Sequence, residues 1–408
     1  MVLIRPFQAL HPVSGNAKDI ACFPYDVAGD AEARAFVSQN PSSFLRVTRP
    51  EVEFPESRSQ SSDEVLRAGK RNLESLVANG LLIRDAEPSI YVYRLDTETH
   101  SQTGVVACCS LDEYERGVIK KHERTRPDKV SERTKHMVEL RAQTGLVLLA
   151  FKGNEETQKA IRNETSNEPI FEFTCGGNIK HTAWRVENHA AIGDAFDSLE
   201  SLYIADGHHR VESALNARNI LREQNGADGD AADYEFVMAG MFPADELRIL
   251  PYNRGVRDIG GLSDEELFAR IGEYFLISET EKVPPADHGD ICMYFRASWY
   301  LLHFNVDYVQ EPDPIEQLDV TILQKYLLAP ALGIADPSTD DRIGFVGGAK
   351  GTEELERLVD SGEAAAAFAL YATRMSDLLA VSDMGEIMPP KSTWFEPKLK
   401  DGLFVHLI

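Results

Sequence analysis

The sequence predicts a mixed α/β fold, of α/β class with α+β character in a mixed sheet, on three observations. Short apolar runs of strand composition alternate along the 408 residues with stretches whose apolar positions recur every three to four residues. One such run, "SLYIA" at 201–205, passes through a glycine turn straight into a helical pattern. The apolar content of 43% and charged content of 26% are those of a chain that builds a sizeable core. The length suits roughly two or three domains. There is no internal repeat and no linker long enough to separate domains. The chain is therefore taken as one unit with three parts: 1–150, an N-terminal α/β part, 151–260, a core, and 261–408, a C-terminal α/β part.

The elements follow in order. "IRPFQALHP" reads as an extended strand closed by prolines, and "CFPYDVAGDAEARAFVSQNP" as a turn and then a helix capped by Asp30. "FPESRSQSSD" is a polar loop. In "DEVLRAGKRNLESLVANG" Leu66, Leu73, Leu76 and Val77 share a helical face, and Gly80 ends the run. "SIYVYRL" and "QTGVVACCS" make a hairpin, and "GLVLLAF" is a buried strand. After "SLYIA" and "DGHHR", Val211, Ala214, Leu215 and Leu221 mark a helix. "NGADGDAADYE" is an exposed insertion. "FVMAGMF" and "LRILPYNRG" are strands, "LSDEELFARIGEYF" is a helix capped by Ser263, and "CMYFRASWYLLHF" holds two strands. "DVTILQKYLLAPALGI" is helical, "RIGFVGG" is a strand, and "EELERLVDSG" is a helix stopped by glycine.

Composition narrows the function. The formal charge of −24 repels nucleic-acid phosphates and anionic lipid, so neither a nucleic-acid partner nor a membrane partner is expected. No apolar stretch is long enough to span a bilayer, and "MVLIRPFQALHP" lacks the pattern of a signal peptide, so a cytoplasmic protein is expected. The five cysteines are odd in number and lack C-x-x-C spacing, which supports neither a disulfide framework nor a zinc knuckle. Against this acidic background Lys120–His136 carries seven Lys/Arg and three Asp/Glu. By residue type alone, such a run also suits a solvated helix face.

Three strings carry candidate chemistry. In "DGHHR", a strand ends in a glycine turn that opens a helix, which aims backbone N–H groups and the positive dipole end at one spot. Gly207, His208 and Arg210 suit phosphate binding there, His209 can move a proton, and Asp206 is a candidate base or metal ligand. Asp206 also suits a plain helix cap. In "HERTR" the H-E-x-x-H pattern of zinc proteases fails at Arg126. What remains is Glu123, a candidate base or Mg²⁺ ligand, among His122, Arg124 and Arg126 as phosphate-binding candidates. In "PPKSTWFEPK" Lys391 is a further phosphate-binding candidate, with Ser392, Thr393 and Trp394 shaping a substrate pocket. The same string suits a rigid surface turn. Asn253 and Arg254, at the end of a strand, join the substrate-binding set. Neither a Walker A nor a G-x-G-x-x-G pattern occurs.

"IRPFQALHP", "PYDV", "SLDEYERGVIKKHERTRPDK", "YIADGHHR", "LRILPYNR", "RIGFVGG" and "MPPKSTWFEPKLKDGLFVHLI" together resemble the domain-of-unknown-function 1015 family over essentially the whole chain. Phe23 stands where that family's pattern has a second proline. "DGHHR" also resembles the turn of ParB/sulfiredoxin-like proteins, which include kinases of free serine. The resemblance implies a ParB/sulfiredoxin-like core with large additions. It further implies transfer of a phosphoryl group from pyrophosphate or a nucleotide to free L-serine, with Mg²⁺ as cofactor. In that reading Arg210, His208 and His209 hold the donor, and Arg124, Arg126 and Lys391 clamp the transferring group. Glu123 or Asp206 takes the serine proton. The opposite reaction, a phosphoserine phosphatase, uses the same residue types. A ParB-like regulatory binder of DNA is the alternative from another class, and the net charge and the lack of a helix-turn-helix pattern oppose it.

Overall fold

The computed structural model describes residues 3–56, 59–225, 232–281, 283–305 and 313–408. Residues 226–231 of the expected exposed insertion, and 57–58 of the expected polar loop, lie outside the described residues. The chain forms two compact units. One comprises 1–121, 125–247 and 397–408, and the other 122–124 and 248–396.

The first unit is built on a nine-stranded sheet: β1 (Ile4–Arg5), β2 (Tyr91–Asp96), β3 (Ser101–Ser110), β4 (Ile119–Lys120), β5 (Val147–Phe151), β6 (Phe171–Cys175), β7 (Ile179–Arg185), β8 (Leu202–Asp206) and β9 (Phe236–Pro243). The order is β4-β8-β5-β9-β3-β2-β7-β6, with β1 added to β3. β4–β8 and β5–β9 pair in parallel and the other neighbours antiparallel, so the sheet is mixed as the alternating sequence predicts. Strand periodicity puts Val147, Leu149, Phe151, Leu202, Ile204, Val237, Ala239 and Met241 on one face, where they meet Val211, Ala214 and Ala217 of helix α3. The opposite face is closed by the chain's last residues, with Phe404 packed on Tyr91, Tyr93 and Phe171.

Among the helices of this unit are α1 (Asp63–Ala78), α2 (Pro127–Leu140) and α3 (His208–Asn225). α2 starts on Pro127, whose missing N–H costs nothing at a first helical position. It packs along α3, and α1 packs along α2. Gly69 of α1 fits closely against the segment 47–50, since a Cβ there would lie 3.1 Å from the Val47 carbonyl and 3.2 Å from the Pro50 ring. α1 buries Leu66, Leu73 and Leu76 as expected, but Val77 points to solvent because it lies about 100° round from Leu76. The helix at Asp30–Gln39 also differs from expectation. Gly29 occupies its N-cap, and Asp30 is its first residue and makes no capping hydrogen bond.

The second unit carries a six-stranded antiparallel sheet: β10 (Tyr252–Val256), β11 (Phe275–Glu279), β12 (Asp290–Phe295), β13 (Ser298–Phe304), β14 (Ile343–Gly347) and β15 (Ala366–Leu370). Its order is β11-β13-β12-β15-β10-β14. The predicted strand over "LRILPYNRG" is split, because Pro251 interrupts the run between Ile249–Leu250 and β10. Ser263 caps helix α4 (Asp264–Ile271) in a reciprocal box with Glu266. Helix α5 (Glu353–Asp360) lays Leu355, Leu358 and Val359 on Cys292, Tyr294, Ala367 and Ala369. No helix among the described residues is long and apolar enough to cross a membrane. All five cysteines are free, and four are buried.

Candidate functional site

In the first unit β8 ends at Asp206, and Gly207 turns the chain with φ +101°, a conformation that side-chain-bearing residues rarely adopt. The amides of Arg210 and Val211 close the first helical turn on the Gly207 carbonyl, at 2.8 and 3.2 Å. α3 thus opens with His208 and His209 and carries no acidic residue in its first turn. No first-turn carboxylate of the helix itself opposes the positive end of its dipole. Asp206 sits just before it, with Oδ2 accepting from Lys398 Nζ at 2.9 Å. Burial alone would raise Asp206, but Lys398, Arg210 and His208 outweigh it and hold the carboxyl well below the usual range. Lys398 therefore offsets the charge of Asp206 at the helix entrance.

His209 ties the basic segment to this turn. The Arg126 amide donates to its Nε2 at 3.0 Å, which places the ring proton of a neutral imidazole on Nδ1. The Arg126 side chain is exposed and pairs with Asp128 at 2.8 Å. Arg210 turns inward and is 7% exposed. Its Nη1 donates to the Leu146 carbonyl at 2.7 Å, its Nη2 lies 3.8 Å from Asp26, and its fork stands over the Tyr25 ring. Burial opposes the charge on Arg210, but Asp401, Asp26 and Asp206 overcome it and hold the cation. Asp401 is itself buried, and burial pushes its carboxyl up to about 7 against the pull of Arg210 and Arg133. Gly145 makes room for it, since a Cβ there would lie 2.5 Å from Asp401 Oδ1.

The second unit gathers the other candidates. Its segment His122–Arg124 is bound to the C-terminal loop by the Met388 amide, which donates to the His122 carbonyl at 2.8 Å. His122 is buried, Glu123 is partly buried and Arg124 is exposed. From Met388 the chain enters the loop Pro389–Trp394. There Ser392 Oγ donates to the Pro389 carbonyl at 2.6 Å and Thr373 Oγ1 to the Ser392 carbonyl at 2.8 Å. Thr393 is partly buried in the same turn. Trp394 lies across Gly347, where a Cβ would come within 2.8 Å of the indole, and its Nε1 donates to Glu396 at 3.1 Å. The paired glycines of "RIGFVGG" are thus explained by close packing, on Trp394 for Gly347 and on Pro251 for Gly348. Asn253 is buried and accepts from the Leu370 amide at 3.1 Å, extending the β10–β15 pairing.

The structure therefore sorts the predicted residues into two groups. Arg126, Asp206, Gly207, His208, His209 and Arg210 belong to the first unit, and His122, Glu123, Arg124, Asn253, Arg254, Lys391, Ser392, Thr393 and Trp394 to the second. Lys398, Asp401, Tyr25 and Asp26, which set the charge at and below the Asp206 turn, were given no role by the sequence reading. Their strings, "PYDV" and "KLKD", are part of the family resemblance, but nothing local marks their partners at Asp206 and Arg210.

No curated protein sequence matches the chain. Among solved structures, a free serine kinase in complex with AMP is 13% identical, with 72% of this chain and 86% of that chain covered at a TM-score of 0.34. A conserved hypothetical protein from Pyrococcus furiosus is 14% identical, with 74% and 95% covered at 0.35. SbnI from Staphylococcus aureus, C-terminally truncated, is 12% identical, with 72% and 84% covered at 0.38. The family model described as "protein of unknown function (DUF1015)" matches residues 4–321. That span is well over half of the chain, and the protein belongs to this family.

Proposed function

We propose that the protein is a phosphotransferase that passes a phosphoryl group to the hydroxyl of free L-serine, with pyrophosphate or a nucleotide as donor and Mg²⁺ as cofactor. The observation that carries this reading is the Asp206–Arg210 turn. It offers the first amides of a helix that has no acidic residue in its first turn, beside an Asp206 that is paired with Lys398. Such a turn favours a phosphate group over a neutral ligand. His208 and the turn's backbone hold the donor. Arg210, fixed inward on Leu146, supports them with charge from below the turn.

Phosphoryl transfer asks a protein mainly for positioning and charge stabilisation. Arg126 in the first unit, and Arg124 and Lys391 in the second, are exposed cations suited to phosphoryl oxygens. Asp206 makes a poor base, because its proton affinity is depressed and Lys398 occupies one oxygen. We therefore assign the serine proton to Glu123. Ser392, Thr393 and Trp394 shape the acceptor side. Mg²⁺ takes oxygen ligands. Asp206, ionised and open to solvent on one side, suits it chemically, and Glu123 offers the second unit the same chemistry. When bound, the ion would neutralise charge on the donor.

The test is phosphoserine formation from L-serine and Mg²⁺, with pyrophosphate, ATP and ADP supplied separately. Product from one donor is expected. No product from any donor would overturn the reading, and release of phosphate from added phosphoserine in its place would identify a phosphatase.

A further inference from the structure

Arg254 on β10 is 4% exposed, yet no carboxylate pairs with it among the described residues. Its Nη1 donates to the Tyr252 carbonyl at 2.6 Å. Its Nη2 donates to the carbonyls of Lys391 and Pro390, at 3.0 and 3.4 Å. Aromatic rings of Phe345 and Tyr252 cover the guanidinium, with centroids 4.6 and 5.8 Å from Cζ. Burial of a cation in such surroundings is costly, and its pKa falls to about 9.

A second cost lies in the same loop. Lys391 has φ +60°, a left-handed conformation that a side-chain-bearing residue adopts only at an energetic penalty. Glycine would satisfy that backbone without strain; the lysine side chain is exposed, and its Nζ stands over the Tyr252 ring at 5.6 Å. Thr373 anchors the next carbonyl and Trp394 locks the loop's far end on Gly347. A strained residue held by several anchors is the observation from which a functional role for that residue is argued.

We infer that Arg254 is a positioning residue: it grips the backbone of the Pro389–Trp394 loop so that Lys391 is presented in one preset conformation, and it does not touch the substrate itself. The role given to Lys391 rests on the phosphotransferase reading. Both terminal nitrogens of Arg254 are committed to carbonyls of its own unit, so its effect on the reaction passes through the loop.

The test is a double-mutant cycle on Lys391→Gly and Arg254→Lys in the full chain, read as thermal midpoint and as kcat/KM for phosphoserine formation. Lys391→Gly is expected to keep or raise the midpoint while kcat/KM falls about tenfold or more. Arg254→Lys is expected to lower kcat/KM, and the double variant to be no worse than Lys391→Gly alone. Should Arg254→Lys fail to fold, Thr373→Val takes its place in the cycle with the same expected non-additivity. Additive losses, or an unchanged kcat/KM in Lys391→Gly, would overturn the inference while leaving the phosphotransferase intact. A wild type inactive with every donor would overturn both.

Discussion

Asp401 shows how much of the candidate site depends on charges a few ångströms below it. Its carboxyl, 3% exposed, responds to Arg210, Asp26 and Arg133, and burial raises its pKa to about 7. An unfolded aspartate titrates near ~3.9, so the folded state binds this proton more tightly. The resulting stabilisation is complete below about pH 4, declines as pH rises from there to about 7, and is absent above. Asp401→Asn removes the group. The stability of wild type relative to the variant should therefore fall by up to ~1.4 kcal/mol per pH unit across that window. Urea midpoints of both proteins at several pH values measure it, and a constant difference would refute it. Lys398→Met should cost about 1–2 kcal/mol, between the values for exposed and buried ion pairs, because Asp206 keeps its burial and loses its nearest cation. Lys398→Arg should restore most of the loss in the same measurement. Neither partner was legible in the sequence: "DGHHR" announces itself by composition, whereas Lys398 lies almost two hundred residues away.

At the scale of elements, the turns carried the readable information. A glycine between an apolar run and a helical pattern does mark the β8–α3 junction, and Gly207 is there for its positive φ. Gly207→Ala should cost about 1–3 kcal/mol and displace the helix amides that the proposed donor needs, measured as urea midpoint and as pyrophosphate affinity. Gly104 gives no such sign in sequence. It sits mid-strand in β3, where a Cβ would lie 2.4 Å from the Met241 carbonyl of β9 and 2.7 Å from the Phe242 ring. That constraint comes from a strand more than a hundred residues away. Cap positions were legible to within a residue. Ser263 was right because a glutamate three positions on completes its box, and Asp30 was displaced by Gly29, which lacks any side chain to reveal it. The loop at Lys391 was recognisable from its prolines and aromatics, but not its dependence on Arg254, since that contact joins β10 to a segment far along the chain.

For the whole molecule, the last twelve residues bind the first unit together. Leu399, Leu403, Phe404 and Val405 are all buried, Val405 pairs with Leu10, and Lys398 and Asp401 complete the charges around α3. A chain cut after Glu396 loses four large core side chains, each worth about 2–5 kcal/mol, against a domain stability of about 5–15 kcal/mol. The first unit should then fail to fold. Limited proteolysis would show this as rapid cleavage within 1–247, and a resistant first unit would contradict it. The mixed α/β class was legible because apolar periodicity is a local property. The division into two units was not, because segments 122–124 and 397–408 join their units through contacts that no linker announces.

A phosphate group of the donor is expected to bind at the opening of α3. A crystal structure of the protein with pyrophosphate and Mg²⁺ tests it most directly. The account predicts a phosphate within about 3 Å of the backbone N–H groups of His208 and His209. Pyrophosphate bound elsewhere, with those amides left to solvent, would contradict it.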